Sequence, residues 1–335
     1  MKVFIPYGKK QNSRQTFEVS RLRKTLKREC EISGIEWVDN VVREPQIAHL
    51  ISMEEEKTIV DMHWRKIPVI VSAFYCESEP RGAFLDSRAK GEVALKPKAV
   101  KFLNRADLVL VPSDVMRNLC LSSGVKTPIR IHETSINLAR FNDNAIEQDI
   151  FPRYFGIRPN ERIVLATGEY GDHHSIRLFQ EIASLCPELE FYFFGSTKRL
   201  PSSLPIFALQ SNAPKNLHFQ SLVQDDIFRS ALLRADAYLT LNSRKTDSVS
   251  LLEAFAAKTQ VIAMEDHPYE PLIKDGATAW VATSVEQVAN CLKALTKGEK
   301  ESTVSCAYEV AKQRAIERSA LKLKRIYQKL LYEHA

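Results

Sequence analysis

The stretch "ADAYLTLNSRKTDSVSLLEAFAAKTQVIA", from Ala235 to Ala263, decides how this chain is expected to fold. It begins with a short apolar run, continues through a polar loop into an apolar segment, and ends in a second apolar run. This order predicts a strand, a helix and a second strand parallel to the first. The only acidic residue of the predicted helix is Glu253, and Lys245 lies eight positions before it in the loop.

The same alternation extends along the chain in both directions from this stretch. Short and nearly continuous apolar runs alternate with amphipathic segments, which is typical of parallel strands covered by helices on both faces. The predicted strands of a first set are 2–7, 47–52, 67–74, 107–113 and 128–134. Those of a second set are 162–168, 189–195, 216–221, 237–242, 260–265 and 279–283. Two such sets predict an α/β protein with two doubly wound parallel sheets.

The predicted domains are residues 1–143 and 144–304, followed by a closing helix in 305–335 that crosses back to the first domain. A length of 335 residues suffices for two domains. No run of about 18 apolar residues is present, so the sequence predicts no membrane span. The six cysteines are scattered without a Cys-x-x-Cys spacing. This pattern disfavours a metal site or a disulfide framework and favours a cytoplasmic location.

The excess positive charge lies in the first part of the chain. Residues 1–143 contain 24 Lys and Arg against 18 Asp and Glu, whereas residues 144–335 contain 23 of each kind. An anionic partner for the first domain would explain this distribution, and so would an ordinary solvated surface. No recognised nucleic-acid-binding motif is present, so a nucleic acid is not expected to be the partner.

Two segments concentrate these basic residues. In 16–30, apolar residues at helical spacing predict a buried stripe, and Arg21, Lys24 and Arg28 predict a basic ridge beside it. The segment 88–105 adds Lys98 and Lys101 among others. One hypothesis is that both segments dock the first domain on an anionic membrane surface. The alternatives are solvated helix faces or a contact surface for an acidic protein partner.

Glu253 is the strongest single candidate for a binding residue. A carboxylate on a helix that follows the carboxyl end of a strand can accept hydrogen bonds from a ribose diol. Taken alone, it is better explained as an acidic residue that complements the dipole at the start of the helix. The loop serines could cap that helix and present backbone N–H groups to a phosphate.

The opening stretch resembles the donor-binding motif of GT-B glycosyltransferases of family 4. Further blocks agree in order and spacing, namely 106–131, 136–141, 182–195 and 270–282. The tail "ERSALKLKRIYQKLLYE" at 317–333 most resembles the subgroup of this family that adds a hexose to glucosyl-diacylglycerol lipids. The resemblance implies two Rossmann-like domains that face a cleft, with the acceptor on the N-terminal side and a nucleotide sugar on the C-terminal side. It implies no metal and no cofactor beyond the nucleotide diphosphate sugar as donor, and a protein peripheral to the inner face of the membrane.

The resemblance also suggests roles for individual residues. Glu253 matches the second Glu of the family's E-x(7)-E motif, which binds the ribose. Lys245 stands where the family has its first Glu, which contacts the donor sugar. Asp247 and Glu270 are the residues expected to take over that contact and to serve catalysis.

The phosphate-binding residues depart from the family pattern. The family has G-R-x(4)-K-G after the first strand of the second domain, whereas this chain has "GEYGDHHS" at 168–175. Glu169 therefore stands at the Arg position and would repel a diphosphate. The candidate substitutes are His173, His174, Lys198 and Arg199, with Lys245 beside them.

Two functions remain open at this point. One is a retaining hexosyltransferase that acts on a hydroxyl acceptor, for which a membrane glycolipid is one candidate. The alternative is a catalytically inactive pseudo-glycosyltransferase that acts as a scaffold or as the partner subunit of an active enzyme, since several donor-site residues are replaced. A protein partner or a homodimer is compatible with both.

Overall fold

The computed structural model describes residues 1–6, 17–51, 53–73, 85–86, 94–141, 149–170, 172–196, 203–221, 223–241, 249–264 and 272–334. The chain divides into two compact units. The first comprises Met1–Ser135, Arg244–Val249 and Arg314–Ala335, and the second comprises Ile136–Ser243 and Ser250–Gln313.

The first unit is built on a six-stranded parallel sheet in the order β2-β1-β3-β4-β7-β8. Its strands are β1 (Lys2–Phe4), β2 (Glu36–Val38), β3 (Ile47–Leu50), β4 (Val69–Ser72), β7 (Leu108–Val111) and β8 (Ile129–Ile131). A separate antiparallel pair consists of β5 (Leu85–Asp86) and β6 (Ala94–Leu95). The helices are α1 (Phe17–Ile32), α2 (Glu56–Trp64), α3 (Pro97–Leu103), α4 (Asp114–Ser122) and, at the end of the chain, α12 (Ile316–His334). Helix α12 packs against α1.

The second unit repeats this plan with a parallel sheet in the order β11-β10-β9-β12-β13-β14. Its strands are β9 (Ile163–Glu169), β10 (Glu190–Ser196), β11 (Leu217–Ser221), β12 (Ala237–Thr240), β13 (Gln260–Met264) and β14 (Trp280–Ala282). The helices are α5 (Ile150–Phe155), α6 (His173–Leu185), α7 (Ser203–Ser211), α8 (Asp225–Arg234), α9 (Val249–Ala256), α10 (Val285–Lys297) and α11 (Val304–Gln313). Short 3-10 helices span Val41–Arg43, Met53–Glu55 and Leu138–Phe141.

Each unit has its own apolar core because its strands are buried on both faces. In the first unit, every residue of β3, β4 and β7 except Ser72 is fully buried. In the second, Phe179 of α6 packs against Phe191 and Phe193 of β10. Burial of several large side chains at about 25 cal/mol per Å² is the main stabilising contribution to each unit.

Local signals define the ends of several helices. The side chain of Ser113 accepts a hydrogen bond from the backbone N–H of Met116 at the start of α4, and Ser284 caps α10 in the same way. Helix α10 ends at Gly298, whose φ of 68° lies in the left-handed region that glycine adopts without strain.

The predicted two-sheet α/β architecture is confirmed. All eleven predicted strands have a counterpart, and the sequence missed β2 and the short β5–β6 pair. Strand β2 has only three residues, and its first residue, Glu36, is exposed at the edge of the sheet. It therefore lacks the continuous apolar run that marks a central strand.

Candidate functional site

The strand order of the second sheet places a switch point beside β9. From β9 the chain continues to β10 and β11 on one side, and then returns to add β12, β13 and β14 on the other. In open parallel sheets, ligands bind outside the carboxyl ends of the strands at such a point. Here these ends are Glu169 of β9 and Thr240 of β12.

The start of α6 is tied to this edge of the sheet. Ser175 donates through Oγ to Oδ2 of Asp172 at 2.7 Å and lies 3.4 Å from the carbonyl oxygen of Leu241, just after β12. His173 and His174 are exposed on the first turn of α6. Two of the candidate phosphate-binding residues are therefore close to the end of β12.

The helix start itself is already capped by a carboxylate. Asp172 accepts a hydrogen bond from the backbone N–H of Ser175 at 3.1 Å. A phosphate would compete with Asp172 for this amide, although such amides often bind anions in other proteins. The exposed imidazoles of His173 and His174 are consequently the better candidates for holding a diphosphate from this helix.

Glu253 lies on α9, in the second turn, and only 3% of its surface is exposed. Stabilisation of an acidic residue by the helix dipole falls off beyond the first turn. Burying a carboxylate is costly unless polar groups compensate for the lost water. This position argues against a Glu253 that only complements the helix dipole, and it favours a carboxylate that binds polar groups. Contact between Glu253 and a nucleotide stays a prediction.

A tyrosine covers the neighbouring strand ends. Gly195 of β10 lies opposite Gly168 of β9 in the sheet register. A Cβ atom at Gly195 would stand 2.8 Å from the Tyr170 ring, so this close approach requires glycine. The Tyr170 hydroxyl donates to the Gln220 carbonyl at 2.7 Å, and burial raises the pKa of Tyr170. Tyr170, which follows Glu169 in the sequence, is thus a neutral buried side chain that packs against β10 and β11.

Several predicted site residues lie outside the described residues. These are Asp247, Glu270, Lys198, Arg199 and Lys245. Their assignments as sugar-contacting or phosphate-binding residues remain predictions.

The basic ridge predicted on α1 is corrected in part. Arg21 is buried, with 6% of its surface exposed, because it faces the protein and not the solvent. Lys24 and Arg28 are exposed, and Arg28 pairs with Glu31 at 2.9 Å. On α3, Lys98 lies 3.8 Å from Glu56, and Lys101 is exposed.

Sequence reasoning missed a buried polar network at the carboxyl edge of the first sheet. Glu29 of α1 is bonded to Nε2 of His132 at 3.0 Å and accepts a hydrogen bond from Oγ of Ser135 at 2.5 Å. A signal for Glu29 was available, because it continues the apolar stripe of Leu22 and Leu26 at helical spacing. A carboxylate in such a stripe is expected to be buried and to have partners.

Two kinds of feature are absent from the described ranges. Within them, no group of three or more His, Cys, Asp or Glu residues could hold a metal ion. Among the same residues, no helix has the length and apolar character needed to cross a membrane.

The chain is similar in sequence to two known proteins. No protein-family model matches the chain. It is 23% identical over 336 residues to the processive diacylglycerol alpha-glucosyltransferase of Acholeplasma laidlawii, with 99% of each chain covered. It is 24% identical over 222 residues to the alpha-monoglucosyldiacylglycerol synthase of Streptococcus pneumoniae, which covers 63% of this chain and 49% of that protein.

Among solved structures, the Anabaena protein Alr3699/HepE in complex with UDP-glucose is similar in fold. The TM-score is 0.74 at 10% identity, and the match covers 98% of this chain and 100% of that one. The prediction of a GT-B fold is thereby confirmed. The fold and the full-length similarity together identify the chain as a glycosyltransferase, and they do not favour the inactive scaffold.

Proposed function

We propose that the protein is a retaining, family 4-like hexosyltransferase that uses a uridine diphosphate sugar and glycosylates a diacylglycerol or glycosyl-diacylglycerol acceptor. The observation that carries this proposal is the similarity to the Acholeplasma laidlawii diacylglycerol glucosyltransferase, which extends over 99% of both chains. A uridine nucleotide is supported by the structural neighbour that holds UDP-glucose.

The proposed donor site lies at the carboxyl edge of the second sheet. Glu253 binds the ribose hydroxyls, and His173 and His174 at the start of α6 hold the diphosphate. Asp247 and Glu270 contact the sugar, while Lys198, Arg199 and Lys245 add positive charge near the phosphates. In a retaining transfer, the acceptor oxygen bonds to the anomeric carbon on the face from which the nucleoside diphosphate leaves. The bond from that carbon to the phosphate oxygen breaks, and the hydroxyl proton passes to the departing phosphate. Catalysis then depends mainly on positioning and on stabilising the charge that develops on the leaving group.

Ligand-linked stabilisation tests the donor assignment. The thermal unfolding of the protein is measured with UDP, UDP-glucose, GDP and GDP-mannose. We expect stabilisation by the uridine compounds that reaches about 2.7 kcal/mol at a concentration one hundred times the dissociation constant. Stabilisation by none of the four nucleotides would contradict the proposal and favour the scaffold.

Transfer is then measured with radiolabelled UDP-glucose and dioleoylglycerol in vesicles. A labelled glycolipid is expected, and the configuration at its anomeric carbon decides whether the reaction retains the donor configuration. A product of the opposite configuration would exclude the retaining mechanism.

The lipid acceptor requires contact with a membrane, and the first unit has exposed groups that suit this contact. Trp64 of α2 is 85% exposed and Val60 on the same helix is 49% exposed. Lys24 and Lys101 are exposed basic residues of this unit, and Arg28 is exposed beside its ion-pair partner Glu31. Tryptophan at a membrane interface and basic residues near anionic lipids both favour surface binding, at about 1 kcal/mol for each basic residue.

Vesicle co-sedimentation tests whether these exposed residues bind the protein to a membrane. Binding is expected to need anionic lipid, to weaken with salt, and to fall when Lys24 and Arg28 are changed to Ser or Trp64 to Ala. Arg117→Ser, on α4 of the same unit, is the control for loss of an exposed positive charge. Equal binding to neutral and anionic vesicles, or binding to neither, would remove the electrostatic membrane assignment.

A further inference from the structure

The connection from β9 to α6 is short and leads directly into the proposed phosphate-binding residues. Strand β9 ends at Glu169 and α6 begins at His173, so three residues connect them, of which Tyr170 is the first. His173 and His174 are exposed on the first turn of α6. Because consecutive Cα atoms are only about 3.8 Å apart, a displacement of Tyr170 is passed on to both histidines.

Tyr170 is held on the β10 and β11 side of the switch point. It is 5% exposed, and the centroid of its ring lies 5.6 Å from that of Phe193 on β10 and 6.0 Å from that of Phe219 on β11. Its hydroxyl donates to the carbonyl oxygen of Gln220 on β11 at 2.7 Å. The residue that follows β9 is therefore anchored on two neighbouring strands by both its ring and its hydroxyl.

Two glycines make room for the rings of Tyr170 and Phe193. A Cβ atom at Gly195 would stand 2.8 Å from the Tyr170 ring, and a Cβ atom at Gly168 would stand 2.8 Å from the Phe193 ring. Both distances are shorter than a Cβ atom tolerates, so a larger residue at either position must displace a ring. The location of the Tyr170 ring thus depends on glycine at position 195.

The start of α6 is also held on the other side of the switch point. Oγ of Ser175 lies 3.4 Å from the carbonyl oxygen of Leu241, just after β12. Phe179, one turn further along α6, packs against Phe193 with ring centroids 5.6 Å apart. Phe193 therefore contacts both Tyr170 and α6. The first turn of α6 is fixed toward β12 by Ser175 and toward β10 and β11 by Tyr170.

We propose that Tyr170 is a positioning residue of the donor site. It holds the chain after β9 on β10 and β11 and thereby sets the position of His173 and His174 relative to the diphosphate, without touching the ligand itself. A binding group must be held within roughly 0.5 Å of its productive position, so a residue that fixes the start of α6 contributes to phosphate affinity. This inference rests on the proposed function, since it takes the two histidines as the phosphate-binding groups.

Titration calorimetry with UDP and uridine tests the inference, with uridine affinity measured by competition against UDP. Uridine keeps the base and the ribose but lacks the phosphates, so the ratio of the two affinities isolates the phosphate contribution. Tyr170→Phe removes the hydroxyl and keeps the ring, whereas Gly195→Ala displaces the ring. We expect each variant to bind UDP about ten-fold more weakly, the order of one hydrogen bond to a charged group, and to bind uridine as the wild-type protein does.

A second buried tyrosine of the same sheet provides the matched control. Tyr238 on β12 is 3% exposed, and its hydroxyl lies 2.6 Å from Oγ1 of Thr167 on β9. Tyr238→Phe removes a buried hydroxyl with a contact of similar length, but one that joins two strands and not the connection to α6. Its UDP-to-uridine affinity ratio should equal that of the wild-type protein.

The outcomes separate this inference from the proposed function. If the wild-type protein binds UDP but Tyr170→Phe and Gly195→Ala keep its UDP-to-uridine affinity ratio, the positioning role is wrong and the donor assignment stands. Equal losses of UDP and uridine affinity also keep that ratio, and they would mean a general disturbance of the unit. If the wild-type protein binds no UDP, the proposed function fails, and this inference fails with it. The two variants disturb Tyr170 by different means, so either one decides the question if the other fails to fold.

Discussion

Replacing Glu253 by Gln is expected to weaken UDP binding about ten- to hundred-fold while the protein remains folded. Hydrogen bonds to a charged group contribute roughly 1.5–3 kcal/mol, and each 1.4 kcal/mol is a factor of ten in affinity. Glutamine keeps the shape of the side chain on α9 but replaces one accepting oxygen with a donating amide. Titration calorimetry with UDP measures the change.

A ligand modification makes this test specific for the ribose. The wild-type protein should bind 2′-deoxy-UDP more weakly than UDP, and Glu253→Gln should discriminate less between the two. Glu181→Gln removes a half-exposed carboxylate from α6 of the same unit and serves as the control. If Glu253→Gln binds UDP as the wild-type protein does, the ribose role is wrong and a purely structural role for this carboxylate is favoured.

In the second unit, the sequence pattern predicts the helices and strands but not the order of the strands in the sheet. The segment "LLEAFAA" predicts a buried helix between two strands, and the structure has α9 between β12 and β13. The strand order, and hence the switch point beside β9, depends on pairing between distant segments and cannot be read from any one motif. The likeness to a known family implied a donor site in this domain, whereas the sheet topology shows which strand ends meet at the switch point.

In the first unit, the sequence pattern does not predict which distant residues come into contact. The contact between His49 and Tyr327 joins residues 278 positions apart, and that between Glu29 and His132 joins residues 103 apart. No periodicity in the sequence pairs such residues, because each pairing follows from the order of strands in the sheet and the docking of α12 on α1. Helical periodicity also led to the wrong prediction that Arg21 is exposed. Helix α1 buries two arginines, Arg21 and Arg23, and Arg23 pairs with Glu55 at 2.7 Å. A helical pattern that assigns every arginine to the solvent overlooks such buried ion pairs.

Acidification is expected to destabilise the first unit through His49. Burial, assisted by the nearby His132, lowers the pKa of His49 from 6.5 to about 3. Between these values the folded protein keeps His49 neutral, whereas the unfolded chain binds a proton there. The unfolded state is therefore favoured as the pH falls, and the stability of the folded state is lost progressively from about pH 6.5 downward. Well below pH 6.5, each further pH unit lowers the free energy of unfolding by about 1.4 kcal/mol. Between pH 6.5 and 4.5 the free energy of unfolding therefore falls by about 2 kcal/mol.

The variant His49→Gln isolates this contribution, because it removes the titrating group and other acid-sensitive groups cancel in the comparison. At pH 6.5 the wild-type protein should be the more stable of the two, since the variant loses the hydrogen bonds of His49 to Tyr327 and Ser72. The difference in free energy of unfolding should then shrink by about 2 kcal/mol on going to pH 4.5. Denaturant unfolding is followed by tryptophan fluorescence in a Trp280→Phe background. Of the chain's three tryptophans, this leaves Trp37 and Trp64, both in the first unit. His63→Gln removes an exposed histidine from the same unit and is the matched control. The stability difference between the wild-type protein and each variant is compared at pH 6.5 and pH 4.5. If this difference shrinks no more for His49→Gln than for His63→Gln, His49 is protonated in the folded protein. The hydrogen bonds of His49 to Tyr327 and Ser72 would then tolerate a charged imidazole.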